Sequence, residues 1–211
     1  MSEILQLYDK MLQYGKAAPN REVYPANLTK TLRKFIGTCD IKLKTRRDPK
    51  VDLDQVVVGG CYDPEEDQAN FASITLYVIY SPNQKVILFK NLDWPQLCAE
   101  LIECVGHEKI HQSQYRKRKF DIGSNIFISM STDKDKRLDQ EYLGSPDEIE
   151  AYGFSIAAEV HLKYNPKALS KNYILESAIY RIYRNSFGAE HIVVNKLLKY
   201  ADKYFKQLSS K

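Results

Sequence analysis

The sequence predicts an α+β protein: short helices and a mostly antiparallel sheet within residues 1–90, then helices alone through residues 91–211, all in one domain. Three observations predict it. β-Branched and aromatic runs, "QVVVGGCY" and "SITLYVIY", fall before residue 90. From Asp93 the apolar residues recur at helical spacing. With 211 residues, 44% of them apolar, the chain has enough material for a sizeable core.

The elements follow in order. Ile4, Leu7, Tyr8, Met11 and Leu12 have the spacing of one helical face over residues 3–15, ending near Gly15 and Pro19. A second short helix is expected over residues 28–36, stopped by Gly37. "CDIKLKTRR" alternates apolar and charged positions from Ile41, as a half-exposed strand does, and "QVVVGGCY" is a second strand. "DPEEDQAN" reads as a polar loop. "SITLYVIY", the turn "SPNQ" and "KVILFK" then read as a hairpin. Asp93 and Gln96 have capping-box spacing, and Pro95 falls in a first turn, where a missing N–H costs little. The helix they open runs through His111, with Leu97, Leu101, Ile102 and Val105 on its apolar face. Residues 120–143 read as a mixed loop with room for a short element within it. Ser145-Pro146-Asp147 opens the next helix, closed by Asn165-Pro166, and two more helices are expected over residues 172–187 and 189–208.

Composition narrows the function. The 31 basic and 27 acidic residues are interspersed and leave a net charge of only +4, which argues against a dedicated nucleic-acid or membrane-surface protein. No run of eighteen apolar residues is present, and the N-terminal stretch lacks the apolar core of a signal peptide, so a cytoplasmic location is expected. Cys39, Cys61, Cys98 and Cys104 form no Cys-x-x-Cys pair and read as buried thiols in a reducing compartment. The 15 tyrosines are scattered and suit a core rim.

"CVGHEKIHQSQY", residues 104–115, holds two of the four histidines in the chain. Residues four apart on a helix differ by about 40° in azimuth, so His107 and His111 share a face and can reach one ion. Glu108, about 100° round from His107, can touch a water on that ion without being a ligand. Neutral imidazoles leave zinc Lewis acidic, its bound water titrates near a pKa of roughly 7, and a carboxylate can take the proton. Two ligands hold zinc poorly, so a third is required, with one position left open. The helix from Pro146 offers Glu148 and Glu150, roughly 200° apart around its axis, so only one can face the metal. Acidic residues are also common in a first helical turn because they complement the macrodipole. Ile149, Ile156 and Val160 lie on the stripe that buries this helix, and small Ala151 permits close approach. His161 points away from the metal, and Cys104 reads as a packing thiol.

"HEKIH" followed by "EIEAY" resembles the gluzincin metallopeptidases, in which a Glu-x-x-Ala helix supplies the third zinc ligand. "VVVGGCYDPEED", "GHEKIHQSQYRKR" and "YLGSPDEIEAYGFSIA" together resemble the zincin-like metallopeptidases encoded by large tailed bacteriophages, over residues 56–157. The resemblance implies a zincin-like fold, its sheet packed on the metal-binding helix and a helical C-terminal lobe. It implies a zinc ion on His107, His111 and Glu148, Glu108 as the catalytic residue, a protein or peptide substrate, and a location in the host cytoplasm or the virion. It also implies an edge strand to hold an extended substrate, either in the Ser73–Lys90 run or in the Gln55–Tyr62 run. Thermolysin-like enzymes carry an aspartate four positions after the third ligand to orient a zinc histidine. This chain has Tyr152 there.

The oxyanion donor in such enzymes is a histidine or tyrosine, and His191, Tyr180 and Tyr183 are available, although core or surface roles are commoner for each. Arg116-Lys117-Arg118-Lys119 reads first as a solvated face and second as a lure for an acidic protein or nucleic acid. The alternative to an active peptidase is a catalytically weak or inactive zincin scaffold serving as a virion or host-interaction protein, and the residue at position 152 is what favours it.

Overall fold

A computed structural model describes residues 2–16, 22–36, 40–53, 55–88, 92–121, 125–164 and 169–210. Two compact units, Met1–Lys109 and Ile110–Lys211, divide inside a single continuous helix.

The first unit contains α1 (Ser2–Lys16), β1 (Glu22–Val23), α2 (Pro25–Ile36), β2 (Ile41–Arg47), β3 (Val56–Tyr62), α3 (Pro64–Gln68), β4 (Ile74–Tyr80), β5 (Ile87–Leu88) and most of α4 (Trp94–Lys117). Leu28, Leu32 and Ile36 bury the apolar face of α2, and Pro25 begins that helix a turn before the expected start, where it needs no N–H partner. The Trp94 indole N–H donates to the Met11 carbonyl at 2.7 Å, tying the start of α4 to α1.

The main sheet has three strands in the order β2–β4–β3 and is mixed: β2 pairs parallel with β4, and β3 antiparallel with it. This corrects the mostly antiparallel sheet expected from the sequence. The expected hairpin is also corrected. The turn forms, with Gln84 N–H donating to Ser81 O at 3.0 Å, but β5 pairs with β1 and not with β4. Both edges of β4 are already taken by β2 and β3, so no ladder is left for the strand that follows the turn. Phe89 and Lys90 of that run lie outside the described residues. Ile74, Leu76 and Val78 of β4 are fully buried, as a central strand requires.

The segment read as a polar loop forms α3. Asp63 caps it, accepting from Glu65 N–H at 3.0 Å and Glu66 N–H at 3.1 Å. At α4 the expected cap holds: Gln96 N–H donates to Asp93 Oδ1 at 3.1 Å. Leu97, Leu101, Ile102 and Val105 are all buried, and the helix continues past His111 to Lys117.

The second unit is helical: the end of α4, then α5 (Lys134–Leu143), α6 (Pro146–Tyr164), α7 (Lys171–Glu176), α8 (Ala178–Phe187) and α9 (Ile192–Ser209). Helix α5 is the short element within the mixed loop of residues 120–143; its sequence "KDKRLDQEYL" has almost no apolar face, and Asp133, accepting from Lys136 N–H at 2.9 Å, opens it. The helix expected over residues 172–187 breaks at Ser177, whose extended backbone (φ −64°, ψ 129°) ends α7 and whose hydroxyl caps α8. Ile149, Ala151, Ile156 and Val160 bury the expected stripe of α6. Helices α6 and α9 pack closely at Gly153, where a Cβ would lie 2.4 Å from the Tyr200 Cβ, so only glycine fits. No described helix is long and apolar enough to cross a membrane.

Candidate metal centre

His107, His111 and Glu148 converge as the sequence predicts. One ligand atom from each lies within 4.8 Å of the other two, an arrangement that could hold a metal ion. The histidines come from successive turns of α4 and the carboxylate from the first turn of α6. Both histidines are 9% exposed. His111 Nε2 and Glu148 Oε1 are 3.5 Å apart. Ligand bonds of 2.0–2.2 Å in a tetrahedron give donor separations of about 3.4 Å, so this pair already has the spacing of one tetrahedral edge. Two nitrogens and one carboxylate oxygen are a donor set that suits zinc and leaves a fourth position.

Of the two glutamates of α6, Glu148 and not Glu150 lies in this cluster. Glu150 is held elsewhere, accepting from Tyr204 Oη at 2.8 Å, Lys203 Nζ at 3.0 Å and Gln114 Nε2 at 3.1 Å. Burial pushes its carboxyl up, but the bonds from Tyr204, Gln114 and Lys203 outweigh that and hold it below the usual carboxylate range. It belongs to the support of the site.

Gln114 is the residue that sequence reasoning missed. It is buried, and its Oε1 lies 3.0 Å from His111 Nδ1. Its amide nitrogen faces two groups that can only accept, the Asp147 carbonyl at 3.2 Å and the Glu150 carboxylate. That end must therefore be the NH2, which leaves the oxygen for His111. The oxygen needs a donor, so Nδ1 carries the proton and the Nε2 lone pair is directed at the Glu148 side. Position 152 holds a tyrosine, and the contact to His111 Nδ1 comes from Gln114. The signal was present as His-x-x-Gln, because residues three apart on a helix are neighbours.

Tyr152 has a different setting. Its hydroxyl lies 3.4 Å from that of Tyr142, and its ring meets Tyr183 edge-on at 5.8 Å. Burial, the contact with Tyr152 and the charge of Glu148 all push the Tyr142 phenol up, so it stays a neutral hydrogen-bonding group at physiological pH.

Glu108 is 7% exposed and is not one of the clustered ligands. Strand β3 passes directly over it. A Cβ at Gly60 would lie 3.0 Å from Glu108 Oε1 and 2.6 Å from Cys104 Sγ, so glycine permits the approach. Of the two runs expected to hold an edge strand, β4 is central in its sheet while β3 is at the edge, beside Glu108.

The other sequence candidates take structural places. Cys104 is not among the clustered ligands, and burial followed by the neighbouring Glu108 charge pushes its thiol well up. Cys98 is buried, its thiol raised by burial to about 12. Cys61 is exposed, contrary to expectation: alternation along β3 turns it to the face opposite Gly60. Cys39 lies outside the described residues. His161 stacks edge-on against Phe205. His191 caps α9, its Nδ1 accepting from Val193 N–H at 3.2 Å. Tyr183 is buried and donates to the Leu143 carbonyl at 2.9 Å, and Tyr180 is buried. In the basic run, Arg118 grips Asp147 with both terminal nitrogens at 2.6 and 2.7 Å and lies over the Tyr115 ring, joining the end of α4 to the start of α6.

Comparison with protein-family models, curated proteins and solved structures finds no significant match to the chain.

Proposed function

We propose that this protein is a zinc metallopeptidase of zincin type, with His107, His111 and Glu148 holding the metal and Glu108 as the general base. The observation that carries the reading is the convergence of the three ligand atoms together with the Gln114 contact that fixes the His111 tautomer. Zinc in that place supplies Lewis acidity, polarising a peptide carbonyl and lowering the pKa of water to roughly 7. Glu108, adjacent to His107 on the same helix and covered by β3, accepts the proton from the attacking water and passes it to the departing amine. Strand β3 supports an extended peptide alongside Glu108, with main-chain hydrogen bonds giving register and Gly60 keeping the approach open.

Gln114 also weakens the alternative of an inert scaffold, because the orienting contact missing at position 152 is made by another residue. The test has two parts. Protein purified without added metal is expected to carry zinc near one equivalent, and folded protein with no zinc affinity would refute the ligand set. Glu108→Gln is expected to keep that zinc and lose cleavage of a denatured protein substrate; equal cleavage by both proteins would remove Glu108 from its role.

A further inference from the structure

Between α4 and α5, residues 125–131 belong to no helix, strand or turn, and exposure alternates along residues 125–130. Phe127 and Ser129 turn inward: Phe127 meets Phe187 edge-on at 5.7 Å, and the Ser129 hydroxyl bonds the Gln140 side chain. Asn125 anchors the start, its Oδ1 accepting from Asp147 N–H at 3.0 Å. Ile126, Ile128 and Met130 turn outward and are 70, 75 and 92% exposed. Among the described residues, no backbone N–H or C=O of residues 126–130 has a backbone partner. Alternating exposure, a fixed inner face and backbone groups with no backbone partner are what a sheet edge offers to an added strand. Beside it lies a half-open cavity of about 490 Å³, lined by Phe127, Ile149, Ile192 and Val193 and by Lys196 and Lys199 of α9. Neither lysine meets a carboxylate within 4.0 Å among the described residues, whereas Lys203 on the same face is taken by Glu150.

We infer that residues 126–130 and this groove form a docking edge for an extended acidic protein segment, which adds a strand to the open backbone, seats an apolar side chain in the cavity and places carboxylates on Lys196 and Lys199. The open backbone favours a peptide over a lipid, because an acyl chain leaves the N–H and C=O groups unmet. The lysines disfavour a second copy of this chain, because a two-fold contact through this face brings like charges together. The inference stands apart from the metal chemistry, since none of these groups is a ligand.

The test uses the full chain and a fluorescein-labelled peptide alternating glutamate and valine, followed by anisotropy. Binding that weakens as salt rises is expected, with slowed amide hydrogen exchange at Ile128 and Met130. Lys196→Glu with Lys199→Glu is expected to weaken binding by about tenfold or more. Ile128→Pro, at an exposed position, is expected to do the same with an unchanged melting temperature. Three outcomes would overturn the inference: no binding at low salt, equal binding of the matching lysine and valine peptide, or binding of phosphatidylglycerol vesicles in place of the peptide. A concentration-dependent dimer abolished by Ile128→Pro would overturn it as well, by assigning the edge to self-association.

Discussion

Replacing Gln114 separates two tasks that one side chain performs. Its oxygen accepts from His111 Nδ1, and its nitrogen donates to the Asp147 carbonyl and to Glu150. In Gln114→Leu, of similar size, His111 keeps neither its orientation nor its tautomer, and loss of such a contact weakens metal binding by about 10- to 100-fold, or about 1.4 to 2.7 kcal/mol. Stability falls too, by about 1–3 kcal/mol, because the buried His111 ring loses its Gln114 acceptor. Gln114→Glu behaves differently. A carboxylate still accepts from His111, so zinc affinity stays near that of the wild type, but it faces Glu150 with no proton to donate, and stability falls further than in the leucine variant. Competition against a chromophoric chelator gives the affinities, and urea unfolding of the metal-free proteins gives the stabilities. Equal zinc affinity in the wild type and Gln114→Leu, both folded, would refute the orienting role. Loss of affinity in Gln114→Glu equal to that in Gln114→Leu would show that packing, not the accepted hydrogen bond, is what matters.

Other expectations follow from single contacts. Gly60→Ala places a Cβ 2.6 Å from Cys104 Sγ and 3.0 Å from Glu108 Oε1, and the overpacking is expected to cost about 1–3 kcal/mol on urea unfolding; a change below 0.5 kcal/mol would mean β3 moves aside freely. Asp147→Ala strips Arg118 of its two-pronged partner. Because Arg118 is partly exposed and can rehydrate, the expected loss is about 2 kcal/mol, below the 3–5 kcal/mol typical of a fully buried pair. Glu150 titrates below an ordinary carboxylate, so its contribution is complete above the unfolded pKa of about 4.3 and is lost as pH falls through the lower folded value. The stability difference between wild type and Glu150→Gln should therefore shrink as unfolding is measured from pH 6 down to pH 3, and a difference that grows toward acid would contradict the direction of the shift.

The pairing of His107 and His111 was legible because helix geometry is periodic and local. Four residues along α4 return nearly to the same azimuth, which made His107 and His111 a pair before any tertiary contact was known. Choosing Glu148 over Glu150 required more. Helical spacing says only that the two diverge, and what decides between them is Tyr204 and Lys203, more than fifty residues further along, which claim Glu150. The sheet shows the same division. Strands β2, β3, β4 and the run holding β5 announced themselves by composition, whereas the two-residue β1 did not, and the partner of a strand is a non-local property. "KVILFK" follows a real turn and has the residues of a hairpin arm, yet β2 and β3 already saturate β4, so it turns to β1.

Helix α5 was legible only as an unspecified short element, and Gln114 was missed, for opposite reasons. The α5 sequence has so little apolar periodicity that its helix rests on the Asp133 cap and on helix formers such as Lys, Arg, Gln and Glu. Gln114 was in plain view, one turn beyond His111, but a glutamine on a polar helix face carries no signal until its neighbours' hydrogen-bonding capacities are counted. The count is decisive here because Asp147 O and the Glu150 carboxylate cannot donate. They fix which way the amide points, the amide fixes the proton on His111, and that proton fixes which nitrogen is left to meet a metal. The direction of one lone pair in α4 is thus set by groups on α6, and Glu150, which has no place among the ligands, controls the site through an amide that a spacing argument does not see.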